Sequence, residues 1–149
     1  MKQFFKNSRS IILLSFVLML TACSNEAQQK QNTTAASTLT TATHAIANLN
    51  PDDFAQQIQK GGQLIDVRSP DELAEMGQIA KAQNIDYQAA DFIQKIGALN
   101  KNEPVMVYCA TGGRSSETAT DLQKMGFTQI YNLEGGFEAW QQANMSVQK

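Results

Sequence analysis

Residues 105–125 read Val-Met-Val-Tyr-Cys-Ala-Thr-Gly-Gly-Arg-Ser-Ser-Glu-Thr-Ala-Thr-Asp-Leu-Gln-Lys-Met, and this stretch decides the fold of the chain. The apolar run at 105–108 is typical of a buried strand, and residues 115–125 are typical of a helix. A glycine-rich turn from Cys109 to Arg114 joins them. The sequence therefore places a cysteine at the carboxyl end of a strand, shortly before a helix N-terminus.

This turn suits a reactive thiolate and a bound anion. A nearby arginine or helix N-terminus lowers the pKa of a cysteine to about 3.5–7.5, and Arg114 stands five residues after Cys109. Successive backbone N–H groups of a tight glycine turn form a concave nest for an anion. Buried, inert cysteines are also common, so a core role for Cys109 is the alternative. The combination of strand, turn and helix favours the functional role.

The rest of residues 43–149 alternates between short apolar runs and helical patterns. Apolar runs lie at 44–46, 64–67, 84–85 and 130–133, and helical segments follow them. Asn50-Pro51 and the capping box at 69–72 mark two helix starts. Four apolar residues at helical spacing predict one buried helix face: Ala89, Phe92, Ile93 and Ile96. The alternation predicts an α/β fold with a parallel sheet covered on both faces, in which ligands bind beyond the carboxyl ends of the strands.

The first 22 residues have the pattern of a secretory signal peptide. Lys2, Lys6 and Arg9 precede an apolar stretch at 11–20. The small-residue sequence Leu-Thr-Ala at 20–22 then stands directly before Cys23. A membrane-spanning helix needs roughly 20 apolar residues, so an uncleaved anchor is the less favoured reading. The sequence predicts cleavage and export.

The sequence around Cys23 resembles the lipobox of bacterial lipoproteins. The resemblance implies cleavage after Ala22, lipid on Cys23 and stable anchoring by several acyl chains. Ser24 is similar to the outer-membrane sorting pattern of Gram-negative lipoproteins, which implies a domain facing the periplasm in such a cell. Residues 24–42 are rich in Gln, Asn, Thr, Ala and Ser, so we expect 23–42 to be a lipidated cysteine with a flexible tether.

Cysteine count and charge exclude several functions. Two cysteines in an exported chain would first suggest a disulfide, but lipid on Cys23 would leave Cys109 as the only free thiol. One histidine, His44, and one free cysteine cannot supply a metal ligand set. Without the three cations of residues 1–22, nine Lys and Arg face 14 Asp and Glu, a net charge of −5. We therefore expect no metal and no nucleic-acid partner.

Four motifs in order resemble the single-domain rhodaneses, a family of sulfurtransferases. They are the segment 66–72 (Asp-Val-Arg-Ser-Pro-Asp-Glu), the segment 77–85, the loop 109–115, and 133–136 (Leu-Glu-Gly-Gly) with Trp140. The resemblance covers about 43–149 and implies a central parallel sheet of about five strands. Gln78, Lys81 and Asp86 depart from residues that the family often has, and all three lie outside the loop.

The resemblance also implies a mechanism and a set of site residues. Cys109 would take the outer sulfur of thiosulfate or of a persulfide as a cysteine persulfide and pass it to a thiol or cyanide, without a cofactor. The backbone of the following residues would bind the sulfur anion: Ala110, Thr111, Gly112, Gly113, Arg114 and Ser115. Arg114 would favour the thiolate and bind an anionic donor. Arg68 and Glu72 are expected to form a structural ion pair beneath the site.

Two other functions remain open. A lipid-anchored module with this fold could bind a partner or sense sulfur species without catalysis. A phosphatase-like or arsenate-reductase-like enzyme is less favoured, because the related loops of those enzymes have seven residues from Cys to Arg and this loop has six.

Overall fold

The computed structural model describes residues 45–149, so the predicted signal peptide (1–22), Cys23, the tether (23–42) and His44 lie outside the described part. The described chain forms five strands: β1 (Ala45–Leu49), β2 (Gln63–Asp66), β3 (Gln83–Asn84), β4 (Val105–Tyr108) and β5 (Gln129–Leu133). Five helices alternate with them: α1 (Pro51–Lys60), α2 (Pro70–Met76), α3 (Phe92–Gly97), α4 (Gly113–Lys124) and α5 (Gly136–Gln142). In this part of the chain, every helix is too short or too polar to span a membrane.

The strands form one parallel sheet in the order β1-β5-β4-β2-β3. This confirms the predicted α/β architecture and places β4 at the centre. All four residues of β4 are buried, as expected for a strand covered on both faces. Because side chains alternate along a strand, Val107 and Cys109 pack towards α3 and α4, whereas Met106 and Tyr108 pack towards α1 and α5.

The predicted helix starts are confirmed. Asn50 Oδ1 accepts the N–H of Asp53 at 2.9 Å, with Pro51 at the first helical position. Ser69 and Glu72 form the capping box, in which Glu72 Oε2 accepts the Ser69 N–H at 2.8 Å and Ser69 Oγ accepts the Glu72 N–H at 3.3 Å. This fixes the Glu72 carboxylate at the N-terminus of α2.

The predicted apolar face at 89–96 is wrong in part. Phe92 and Ile96 are buried, but Ile93 is 55% exposed and Ala89 lies in the turn before the helix. The physical reason is length, since α3 has only six residues. A helix of less than two turns buries one narrow stripe, and Ile93 falls beside it.

The expected ion pair between Arg68 and Glu72 is also wrong. Arg68 Nη2 lies 2.6 Å from Asp66 Oδ2, and both side chains are fully buried. The same nitrogen donates to the Gly77 carbonyl at 2.7 Å, and the guanidinium lies 3.9 Å from the centroid of the Phe137 ring. Arg68 points into the interior and takes the buried carboxylate, which leaves the partly exposed Glu72 to another partner.

Candidate active site

Cys109 follows the central strand β4, and residues 109–115, called here the reactive loop, begin at the carboxyl edge of the sheet. Gly112 has φ of +99° and caps α4, which begins at Gly113, two residues earlier than predicted. This left-handed turn suits glycine and brings the Gly112 N–H to 3.1 Å from Cys109 Sγ, to which it donates. The sulfur therefore sits against the first turn of a twelve-residue helix.

Several donors converge on the Cys109 sulfur. Burial raises the pKa of the Cys109 thiol, but hydrogen bonds from the Ser115 hydroxyl and from the backbone N–H groups of Ser115, Gly112 and Thr111 outweigh burial, so the pKa is lowered. Ser115 Oγ also lies 3.1 Å from the Gly112 carbonyl oxygen. The Ser115 hydroxyl has one proton and two possible acceptors, the Gly112 carbonyl oxygen and the Cys109 sulfur. A charged thiolate is the stronger acceptor of the two.

Arg114 is paired with Glu72. Arg114 Nη1 donates to Glu72 Oε2 at 2.8 Å, and Nη2 donates to Oε1 at 2.7 Å. This bidentate contact raises the pKa of Arg114, and the nearby Cys109 sulfur raises it further. The same contact with Arg114 lowers the pKa of Glu72 to about 2, against the opposing effect of burial. Glu72 is therefore a site residue that sequence reasoning placed elsewhere.

Helix α5 donates backbone hydrogen bonds to the carbonyl groups of the reactive loop. The Phe137 N–H donates to the Cys109 carbonyl at 2.7 Å, and the Glu138 N–H donates to the Ala110 carbonyl at 3.0 Å. Gly136 has φ of +61°, and a Cβ there would lie 2.5 Å from the Cys109 oxygen and 2.6 Å from the Ala110 oxygen. The sequence indicates the Gly-Gly pair at 135–136 only as part of a motif, and the structure shows that it permits this close approach.

The predicted site residues have different positions around the sulfur. Cys109 is 1% exposed, and Ser115 is also buried. Thr111 is exposed and turns its N–H to the sulfur. Gly113 is exposed, and nothing lies within 4 Å of a Cβ built there. Phe137 and Trp140 belong to the core, as predicted.

The arrangement supports covalent chemistry by a thiolate that yields an anionic product. The backbone donors stabilise negative charge on sulfur before and after reaction. No histidine lies among residues 45–149, so the described site offers no imidazole base. Among those same residues, no three His, Cys, Asp or Glu side chains are grouped so that they could hold a metal ion.

Comparison with known proteins supplies a family and several relatives. A family model described as "Rhodanese-like domain" matches residues 50–143. The chain is 35% identical over 91 residues to a protein named thiosulfate sulfurtransferase GlpE from Pseudomonas aeruginosa, covering 60% of this chain and 79% of that protein.

Solved structures agree with this match. The crystal structure of a rhodanese-related protein from Thermoplasma volcanium has a TM-score of 0.61 and 29% identity, covering 68% of this chain and 97% of that one. The solution structure of a polysulfide-sulfur transferase homodimer from Wolinella succinogenes has a TM-score of 0.60 and 29% identity, covering 72% of this chain and 81% of that one.

Gly136→Ala tests the close contact between α5 and the carbonyl groups of the reactive loop. We expect the free energy of unfolding to fall by about 3 kcal/mol or more, because a positive φ and a steric overlap with two carbonyls add together. The matched control is Gly126→Ala, which has φ of +91° but open space around the new Cβ, and which should cost about 1–2 kcal/mol. Urea unfolding measures both. Equal losses in the two variants would show that the contact with the loop carbonyls contributes nothing.

Ser115→Ala tests the donors to the thiolate. Because the Ser115 hydroxyl lowers the pKa of Cys109, its loss should move that pKa up, so less thiolate is present at pH 7 and alkylation by iodoacetamide is slower there. The measurement is the pH at which the alkylation rate is half of its maximum. Limited access of the reagent to the buried sulfur lowers the rate but does not move this pH. Ser116→Ala, at an exposed neighbouring position, should leave the midpoint in place. An unchanged midpoint in Ser115→Ala would contradict the assignment.

Proposed function

The chain belongs to the rhodanese-like family, whose model matches residues 50–143 of its 149, and from this we propose that it is a sulfurtransferase that carries sulfane sulfur on Cys109. The relatives named as thiosulfate and polysulfide sulfurtransferases support sulfur transfer in general. The finer proposal is that thiosulfate or a persulfide is the donor and that a thiol or cyanide is the acceptor.

In the first half-reaction, the Cys109 thiolate attacks the outer sulfur of the donor. A new S–S bond forms to Cys109, and the donor's own bond to that sulfur breaks. Sulfite, or a thiolate from a persulfide donor, leaves with the electron pair. The charge stays on the terminal sulfur of the cysteine persulfide, where backbone N–H groups of the reactive loop can stabilise it.

In the second half-reaction, the acceptor attacks that terminal sulfur. The bond to Cys109 breaks, and the thiolate is regenerated. Cyanide would become thiocyanate, and a thiolate would become a persulfide. No proton transfer is needed in either half, which agrees with a described site that contains no histidine.

One observation carries the proposal. The Cys109 sulfur accepts the Gly112 N–H at 3.1 Å, and the donors around it lower the pKa of the thiol although the residue is buried. A cysteine that only filled the core would have a raised pKa, because burial disfavours the thiolate. The lowered pKa therefore favours a chemical role.

The proposed sulfur transfer predicts a cysteine persulfide at Cys109. After exposure to thiosulfate, polysulfide or an alkyl persulfide, the protein should gain the mass of one sulfur atom, and cyanide should remove it with release of thiocyanate. Intact-mass spectrometry is the measurement. Cys109→Ser should gain nothing, whereas Ser116→Ala should load normally. Failure of every donor to load Cys109 would overturn catalysis and favour the non-catalytic binding or sulfur-sensing module instead.

We also propose that the protein is exported and held at a membrane by lipid on Cys23, facing the periplasm from the outer membrane if the cell is Gram-negative. The support is the sequence alone: a basic start, a short apolar stretch, and Leu-Thr-Ala directly before Cys23. Such an anchor would keep the sulfurtransferase domain near the envelope and away from cytosolic acceptors.

Cys23→Ser tests the anchor. The unaltered protein should fractionate with membranes and show the mass of a chain that begins at a lipidated Cys23. The variant should lose the lipid mass and leave the membrane fraction, or stay unprocessed. Masses that differ only by the replaced side chain, together with identical fractionation of the two proteins, would overturn the proposal. This result would leave the chemistry of Cys109 untouched.

A further inference from the structure

The positive charge of the reactive loop is already compensated. Arg114 is the only cation of the loop, and both its terminal nitrogens are engaged by the two carboxylate oxygens of Glu72, at 2.7 and 2.8 Å. Since the pKa of Glu72 is lowered to about 2, the carboxylate is charged at every physiological pH. The pair is neutral as a whole, so Arg114 can still offer its remaining N–H groups to a bound donor but brings no uncompensated positive charge to it.

The surroundings of the loop are acidic. Glu138 adjoins it, since its N–H donates to the Ala110 carbonyl at 3.0 Å. Glu134 precedes Gly135, whose nitrogen lies 3.5 Å from a Cβ built at Gly112. Glu117 lies one helical turn after Arg114 and accepts a hydrogen bond from the Tyr87 hydroxyl. These three acids adjoin the reactive loop along the backbone, where the Arg114–Glu72 pair adds no net positive charge.

Cations at this edge of the sheet are paired throughout the described chain. Helices and strands alternate in a parallel sheet, so the carboxyl ends of the strands and the N-termini of the helices share one edge. The described cations at that edge are Arg68, Arg114 and Lys95 of α3, and they lie 2.6, 2.7 and 3.0 Å from Asp66, Glu72 and Asp91. Lysines end α1 and α4, at the opposite edge. Among the described residues, every cation at this edge therefore has a carboxylate partner.

Donor charge then separates two kinds of sulfane donor. Thiosulfate is a dianion, and its attack by the Cys109 thiolate gathers three negative charges before sulfite leaves. A persulfide of a neutral thiol, R–S–S⁻, is a monoanion, and the same attack gathers two charges before the thiolate R–S⁻ leaves with the electron pair. Each extra negative charge costs free energy that an uncompensated cation would offset, and Arg114 is already compensated by Glu72.

Resting on the proposed sulfurtransferase function, we infer that this site selects monoanionic persulfides over dianionic thiosulfate as sulfur donors, and that Glu72 sets the selectivity by neutralising Arg114. Glu72 is a positioning residue, because it acts through the guanidinium and does not touch the donor. Its capping-box contacts hold it to the N-terminus of α2, so the neutralisation is built into the fold.

Salt dependence tests the inference in the unaltered protein. The readout is the rate at which Cys109 gains sulfur from thiosulfate or from 2-hydroxyethyl persulfide, measured in single turnovers by mass spectrometry. Reactions between like charges speed up when salt screens them. We expect the thiosulfate rate to rise about twofold or more from low salt to about 0.2 M, with a smaller rise for the persulfide. A thiosulfate rate that falls with salt would overturn the inference.

Glu72→Gln tests the residue. Glutamine keeps the length and one acceptor oxygen, but it removes the charge and leaves Arg114 cationic. We expect the ratio of the thiosulfate rate to the persulfide rate to rise about three- to tenfold. The matched control is Glu75→Gln, an exposed acid on the same helix, which changes the net charge equally and should leave the ratio unchanged.

The ratio is the readout because the two donors differ in intrinsic reactivity and because a loosened loop would slow both. An unchanged ratio in Glu72→Gln, or an equal rise in Glu75→Gln, would overturn the role of Glu72. Loss of loading by both donors in the unaltered protein is a different result, since it would refute the proposed function and not the selectivity.

Discussion

Two backbone hydrogen bonds from α5 determine the shape of the reactive loop. A trans peptide is planar, so its C=O and N–H point in opposite directions. The first turn of α5 draws the carbonyls of Cys109 and Ala110 towards itself. The N–H groups of the same two peptides, those of Ala110 and Thr111, must then point the other way. Of these two, the Thr111 N–H contributes to the lowered pKa of the Cys109 thiol. The anion nest is thus a consequence of where its carbonyls are held.

The position of α5 depends in turn on the buried ion pair. The guanidinium of Arg68 lies over the ring of Phe137, 3.9 Å from its centroid, while its Nε donates to Asp66 and its Nη2 donates to Asp66 and to the Gly77 carbonyl. Phe137 is the residue whose N–H reaches the Cys109 carbonyl. A buried charge pair is costly to break, so this contact is a firm support for the loop. The motif at 66–68 therefore acts on the site through packing, without touching the sulfur.

Local signals predicted most of the fold and part of the site. The apolar run before Cys109, the Asn50-Pro51 start and the capping box each depend on neighbouring residues only, and each was found in place. The ion-pair partners of the arginines, in contrast, could not be predicted from neighbouring residues. Arg68 had carboxylates on both sides in the sequence, and only its direction into the core selects Asp66. Glu72 and Arg114 are 42 residues apart, and no spacing rule links α2 to α4.

The direction of β1 has a practical consequence. β1 pairs in parallel with β5, and β5 with β4, so β1 begins at the edge of the sheet opposite the one where Cys109 follows β4. An affinity handle or a surface linker attached before Ala45 joins the domain at that far edge. A domain that begins at Ala45 and is immobilised through that end would therefore carry the reactive loop at the edge away from the surface.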